Sequence, residues 1–217
     1  MGAIPLPPKK TIEEHIQDQA EFHQEKLQPV LEEAKAGKRT VLFVDAAHFV
    51  QASFLCCVWC VVRMFVRAAS GRRRYNVLGA FNPITRQLIR VTNDTRVSAD
   101  TMIELLGKIA EQVTGPTTLV LDNARYQRCA AVEAEAARLG ITLLFLLSYS
   151  PNLNLIERLW KFTKKEALRG KHHADFATFR GAIDQCLDGI NTVHKKDIDS
   201  LITLKIQTFD KASFLAA

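Results

Sequence analysis

Residues 41–45 read VLFVD and residues 117–122 read TTLVLD, two apolar runs that each close on an aspartate. Unbroken runs of Val, Leu and Phe, without polar alternation, describe strands covered on both faces, as in a parallel sheet with helices on either side. Ligands of such sheets gather beyond the carboxyl ends of the strands, where Asp45 and Asp122 stand. These two segments predict an α/β architecture and say where its site should lie.

Working outward, residues 75–81 (YNVLGAF) and 87–91 (QLIRV) flank an Asn82-Pro83 turn and read as a hairpin. Ser98 caps a helix on which Met102, Leu105, Leu106, Ile109 and Val113 recur at helical spacing, and Gly115-Pro116 ends it. An Ala/Glu-rich helix to Arg138 is stopped by Gly140, and residues 141–147 form a third buried strand. Ser150-Pro151-Asn152 turns the chain into a helix from about Leu153 to Leu168, and two more helical stretches are expected near 174–190 and 197–206. Upstream, residues 1–10 read as a loose leader. Thr11 and Glu14 have the spacing of a capping box, and the helix they open meets Pro29 before a break at Gly37. Residues 54–66 are apolar and suit helix or strand. The order describes an antiparallel meander followed by parallel crossovers. Three parts are expected: a helical extension at 1–39, a core at 40–170 and a helical segment of the same domain at 171–217.

The chain has 217 residues, 47% hydrophobic and 24% charged, which excludes disorder as its main state. The longest nearly apolar stretch, Phe54 to Val66, is 13 residues long, contains Arg63 and is too short to span a bilayer. The opening MGAIPLPPKK lacks the apolar centre of a signal peptide, so a cytoplasmic protein with free thiols is expected. Five cysteines are present, and Cys57-x-x-Cys60 has no second pair of similar spacing to complete a zinc site. Small buried apolar side chains are the simpler reading.

The net charge of +6 is unevenly placed. Residues 61–96 carry eight arginines against Asp94 alone, and residues 158–171 carry six basic residues against Glu166. Two basic segments on an otherwise acidic body suit a polyanion. Arg72, Arg73 and Arg74, on a turn near strand ends, are candidates for contacting a nucleic-acid backbone. So are Arg158, Lys161, Lys164 and Lys165, which share one face of the 153–168 helix with Glu157, while Leu155, Ile156, Leu159, Trp160 and Phe162 form the other face.

Glu157 taken alone suits an i,i+4 pair with Lys161, and each aspartate alone suits a strand-end turn. Their combination points further. Two acids end buried strands and a third sits on an adjoining helix amid bases. Hard oxygen ligands of this kind hold Mg²⁺ or Mn²⁺, and a pair of such ions can promote phosphodiester cleavage. His48, three residues after Asp45, is a further candidate to approach that crevice.

The segments VLFVDAAHF, LVLDNARYQR and YSPNLNLIERLWKFTKK resemble the three acidic motifs of bacterial insertion-sequence transposases related to the mariner superfamily. The 34 residues between Asp122 and Glu157 are the interval typical of that group, and YNVLGAFNPIT resembles its segment between the first and second acids. The matches span roughly residues 40–168. The resemblance implies a ribonuclease-H-like fold with sheet order 3-2-1-4-5, and a D-D-E site in which Asp45, Asp122 and Glu157 hold two Mg²⁺ or Mn²⁺ ions. It implies nicking of double-stranded DNA at element ends, followed by attack of the freed 3′-OH on target DNA. Asn123 and Asn154 would support the acids or touch substrate, and structural capping explains them equally well. A homodimer near the bacterial nucleoid is implied as well. Relatives carry helix-turn-helix modules for which there is no room before Asp45, so a separate DNA-reading protein or the product of an upstream reading frame is an expected partner. The competing reading is an inactive or regulatory transposase fragment that binds DNA or a full-length partner. A third reading, a small-molecule phosphatase of the Asp-x-Asp type, is disfavoured because Ala47 stands two residues after Asp45 where a second acid is needed.

Overall fold

The computed structural model describes residue 7 and residues 10–51 and 73–206. The ambiguous stretch 54–66, the clustered cysteines and Arg72 lie outside the described residues.

Among the described residues, five strands form one sheet: β1 (Thr40–Val50), β2 (Arg74–Phe81), β3 (Leu88–Asn93), β4 (Thr117–Leu121) and β5 (Ile141–Phe145). Their order is β3-β2-β1-β4-β5, the order the resemblance implied. β1 pairs antiparallel with β2 and parallel with β4, while β2–β3 is antiparallel and β4–β5 parallel. The connection between β3 and β4 is α3 (Ala99–Gln112), capped by Ser98 as expected. That between β4 and β5 is α4 (Ala130–Arg138). Gly140, at φ +68°, makes the left-handed turn from α4 into β5.

β1 is longer than its apolar run. Its pairing with β4 stops at Val44↔Leu121, but its pairing with β2 continues to Val50↔Arg74. The sequence after Asp45 shows why. Ala47 and Phe49 are buried while His48 is exposed, an alternation that keeps one face of the strand covered. Asp45 therefore ends the parallel pairing without ending the strand.

Alternation also sorts the sheet into two faces. Val41, Phe43, Ala47 and Phe49 of β1, together with Val120 of β4, belong to one apolar cluster. Leu42 and Val44 of β1, with Leu119 and Leu121 of β4, belong to the other, which α3 and α4 cover. The first cluster is covered by α5 (Ile156–Thr163) and α6 (Phe176–Asp188). Ile198 of α7 (Lys195–Leu201) joins it.

The N-terminal helices close the same face. α1 (Ile12–Phe22) starts in the expected capping box and passes through a π-helical turn, His23–Leu27, into α2 (Gln28–Lys35). Pro29 falls in the first turn of α2, where its missing N–H is harmless. Leu27, Leu31 and Ala34 are buried in the cluster that also contains Phe43 and Trp160. The helix expected over 153–168 is divided into a 3₁₀ turn at Pro151–Leu153, then α5, then a π-helical turn at Lys164–Leu168. The opening is tight because Leu153 and Asn154 donate to the carbonyls of Ser150 and Pro151, three residues back.

Candidate active site

Period-two alternation decides which way the two aspartates point. Asp45 shares its face with Phe43 and Ala47, and Asp122, one residue beyond β4, continues the face of Val120. Carrying the β1–β4 register one step past Val44↔Leu121 sets the two carboxylates abreast, on strands about 4.8 Å apart. Glu157 lies in the first turn of α5, the helix packed on that face. Trp160, three residues on, lies beside it on the same side of the helix. The Trp160 indole N–H donates to Asp45 Oδ2 at 3.0 Å. The charge of Glu157 raises the pKa of both Asp45 and Asp122, so the three acids lie within one another's electrostatic reach between the sheet and α5.

The indole has room because position 79 is glycine. Gly79 pairs with Asp45 across β1 and β2, and a Cβ there would meet Trp160 Cη2 at 2.8 Å. Phe49 packs edge-on against the indole, with ring centroids 6.4 Å apart. Asp122 is held from another side. The buried Asn154 amide donates to Asp122 Oδ1 at 3.3 Å and to the Val44 carbonyl at 3.2 Å, while the Glu157 N–H donates to the Asn154 carbonyl at 3.2 Å. Asn154 therefore ties the end of β1, the acid after β4 and the start of α5 together.

The charges in this crevice oppose one another. Burial, then repulsion from Asp122 and Glu157, raises the pKa of Asp45 to about 7, although bonds from the Ala46 backbone and Trp160 work the other way. Asp122 is also raised, first by burial, with Asn154 lowering it and Glu157 raising it again. Tyr126, half-buried, has its phenol pushed up by burial and by the charges of Asp45 and Asp122, which places it in the same field. Among the described residues, no lysine or arginine forms an ion pair with any of the three acids.

A divalent cation suits this environment. The donors are carboxylates, their repulsion is uncompensated by protein cations, and Asn154 Oδ1 is buried without a hydrogen-bond partner. The carboxylates are not, however, drawn into a finished coordination sphere: among the described residues, no three His, Cys, Asp or Glu side chains stand close enough to hold an ion.

The other sequence candidates divide. Asn123 donates to the Leu146 carbonyl and accepts from Arg128 at 3.2 Å, so it joins the ends of β4 and β5. His48 does not approach the crevice. Three steps along a strand reverse the facing of a side chain, and its Nδ1 lies 2.6 Å from Asn76 Oδ1 instead. Lys161, Lys164, Lys165 and Arg74 are exposed, whereas Arg73 stacks on the Phe176 ring at 4.0 Å. Arg158 turns to the C-terminal segment, donating to the carbonyls of Thr203 at 3.1 Å and Lys205 at 2.8 Å. Sequence reasoning missed Trp160 as a partner of Asp45, and missed Tyr126 and Gly79 altogether. The three-residue step from Glu157 to Trp160 was the available signal, masked because a tryptophan on a helix usually reads as core.

No curated protein matches the sequence. In solved structures, the Mos1 strand transfer complex is similar over 97% of this chain and 67% of that one, with a TM-score of 0.62 at 13% identity. A Mos1 mariner paired-end complex with Mn matches over 95% of this chain and 68% of that one, with a TM-score of 0.61 at 13% identity. The catalytic domain of Mos1 mariner transposase matches over 90% of this chain and 97% of that one, at 0.58 and 12% identity. At such identities the likeness establishes the ribonuclease-H-like fold. The sequence itself supplies the family: residues 62–180, a span that holds Asp122 and Glu157 and begins after Asp45, match a family of endonucleases. On that match the chain belongs to the DDE superfamily endonucleases.

Proposed function

We propose that the protein is a transposase catalytic domain that cuts double-stranded DNA at element ends and joins the freed 3′-OH to target DNA. What supports this reading is the charge field shared by Asp45, Asp122 and Glu157: burial and the two other acids raise the pKa of Asp45 to about 7. A structural crevice would neutralise such acids with Lys or Arg. An unneutralised trio suits a ligand that brings positive charge.

Asp45, Asp122 and Glu157 would hold Mg²⁺ or Mn²⁺, two ions in the fully assembled site. The ions would supply an acidified water or 3′-OH as nucleophile and neutralise the phosphate and the leaving oxygen. The chain's own contribution is positioning. Trp160 fixes one oxygen of Asp45, and Asn154 fixes one of Asp122, so neither carboxylate swings freely when its partners arrive. The exposed Lys161, Lys164 and Lys165 lie on and just after the helix that carries Glu157, where they suit the flanking DNA backbone. The exposed Arg73 and Arg74, at the start of β2, suit the same role, and the sequence alone adds Arg72 to them. Residues 40–170 would serve as the catalytic core, with 1–39 as a helical extension and 171–217 as a helical segment of the same domain. A homodimer, with a helix-turn-helix partner reading the element ends, completes the proposed assembly.

The test is nicking of supercoiled DNA with Mn²⁺ or Mg²⁺. Wild-type protein converts it to open circles, and Asp122→Asn or Glu157→Gln lowers the rate by at least about 10³-fold while the far-ultraviolet spectrum is unchanged. Undiminished cleavage by Asp122→Asn overturns the assignment. DNA binding by wild-type protein without cleavage under any divalent ion supports the regulatory-fragment reading instead.

A further inference from the structure

We propose that helix α1 is a positioning element for the reaction site, with His15 and Gln19 holding the loop that sets Asn154 and Glu157. The inference rests on the functional reading above for its consequence and on the structure for its geometry.

α1 carries two buried polar side chains, His15 at 6% exposure and Gln19 at 2%. They stand four residues apart and so share one face. Polar groups in such a place are unfavourable unless they are bonded, and here every bond runs to one another or to residues 149–152. His15 Nε2 lies 3.2 Å from the Tyr149 carbonyl and 2.9 Å from the Gln19 amide nitrogen, so its tautomer decides which of the two it bonds. Gln19 Nε2 donates to Ser150 Oγ at 2.9 Å, and Asn152 Nδ2 donates to Gln19 Oε1 at 2.9 Å. One glutamine thus grips the loop through both ends of its amide.

The loop needs holding. Tyr149 has φ +62°, a left-handed conformation unfavourable to a residue with a Cβ. It also precedes the tight turn that delivers Asn154. Ser150, fixed by Gln19, accepts from the Leu153 N–H at 3.1 Å, and Pro151 accepts from the Asn154 N–H at 3.1 Å. Asn154 then binds Asp122 and the Val44 carbonyl, and its carbonyl receives the Glu157 N–H. Asn154, the partner of Asp122, stands four positions after the Gln19 contact at Ser150, and two overlapping backbone hydrogen bonds tie that span together. Apolar packing would fill the same space but would not fix the direction of these groups.

The experiment compares wild type with Gln19→Met, which keeps the volume and removes the amide, and with Ser150→Ala, which removes the partner from the loop side. Backbone hydrogen exchange across residues 148–157 is expected to quicken at least about tenfold in Gln19→Met while β1 and β4 keep their protection. Turnover in metal-dependent nicking is expected to fall about tenfold with KM for DNA unchanged, because misplaced groups slow the chemical step more than binding. Adding Ser150→Ala to Gln19→Met should cost little more, since both remove one contact. Unchanged exchange in the loop, or faster exchange spread evenly through loop and sheet, overturns the proposal. Should Gln19→Met not fold, Ser150→Ala gives the same readouts. Failure of the wild type to nick DNA overturns the functional reading alone, because the exchange measurement decides the positioning role by itself.

Discussion

Asp45 carries two opposing demands at the scale of a single side chain. Burial and its acidic neighbours favour the proton, while the Trp160 and Ala46 N–H groups favour the charge, and the balance leaves its pKa at about 7. Between the ordinary carboxylate value and 7, the folded state keeps a proton that the unfolded state has released, so each rise in pH in that window favours unfolding. Metal-free protein should therefore lose stability, on the order of a few kcal/mol, as pH rises from about 4 through about 7, and Asp45→Asn should flatten that slope. Thermal unfolding across pH in chelator checks this, and an identical slope in the variant would refute it. Gly79 sets a second constraint. Gly79→Ala puts a Cβ 2.8 Å from Trp160 Cη2 and should cost about 1–3 kcal/mol in denaturant unfolding through displacement of the indole. The buried Cys186 thiol, pushed up to about 11 chiefly by burial, should resist alkylation at neutral pH in the folded protein. The two aspartates were legible in the sequence because each closes an apolar run. Trp160 as an orienting donor was not, because the contact joins residues 115 apart and depends on a glycine in the neighbouring strand β2.

Elements were read correctly wherever a local signal fixed them. Thr11 with Glu14 and Ser98 with Thr101 cap α1 and α3 as their chemistry requires, and Ser98→Ala should cost about 1 kcal/mol in chemical denaturation. Boundaries set by tertiary pairing were harder. β1 runs five residues past Asp45 because β2 continues to pair with it, and a reading that ended the strand at the acid had no means of seeing that partner. The helix expected as one piece over 153–168 is three segments, since Pro151 forces a tight start and the chain relaxes into a π-helical turn after Thr163. His48 illustrates the cost of reading proximity along the chain as proximity in space. On a helix, three residues bring side chains together; on the extended β1 they send them to opposite faces.

The described residues build a sheet with two covered faces, and Asp45 and Asp122 stand where the parallel pairing of β1 with β4 ends. No described helix is long and apolar enough to cross a membrane. DNA association should depend on salt, and replacing Lys161, Lys164 and Lys165 with Gln should reduce the slope of log Kd against log salt by about one per lost phosphate contact. An unchanged slope in titrations at several ionic strengths would remove these lysines from the interface. The order of elements and the sheet topology were legible because apolar runs, turns and acid spacing all agree. The docking of α1 on the Ser150 loop was not, since His15 and Gln19 in sequence resemble any polar helix face. The central claim is that three carboxylates jointly hold divalent metal. An anomalous-difference map from crystals soaked in Mn²⁺ tests it most directly: the account predicts density bounded by Asp45, Asp122 and Glu157, lost in Asp122→Asn. A crevice without manganese at saturating concentration, or manganese bound away from these three side chains, would contradict it.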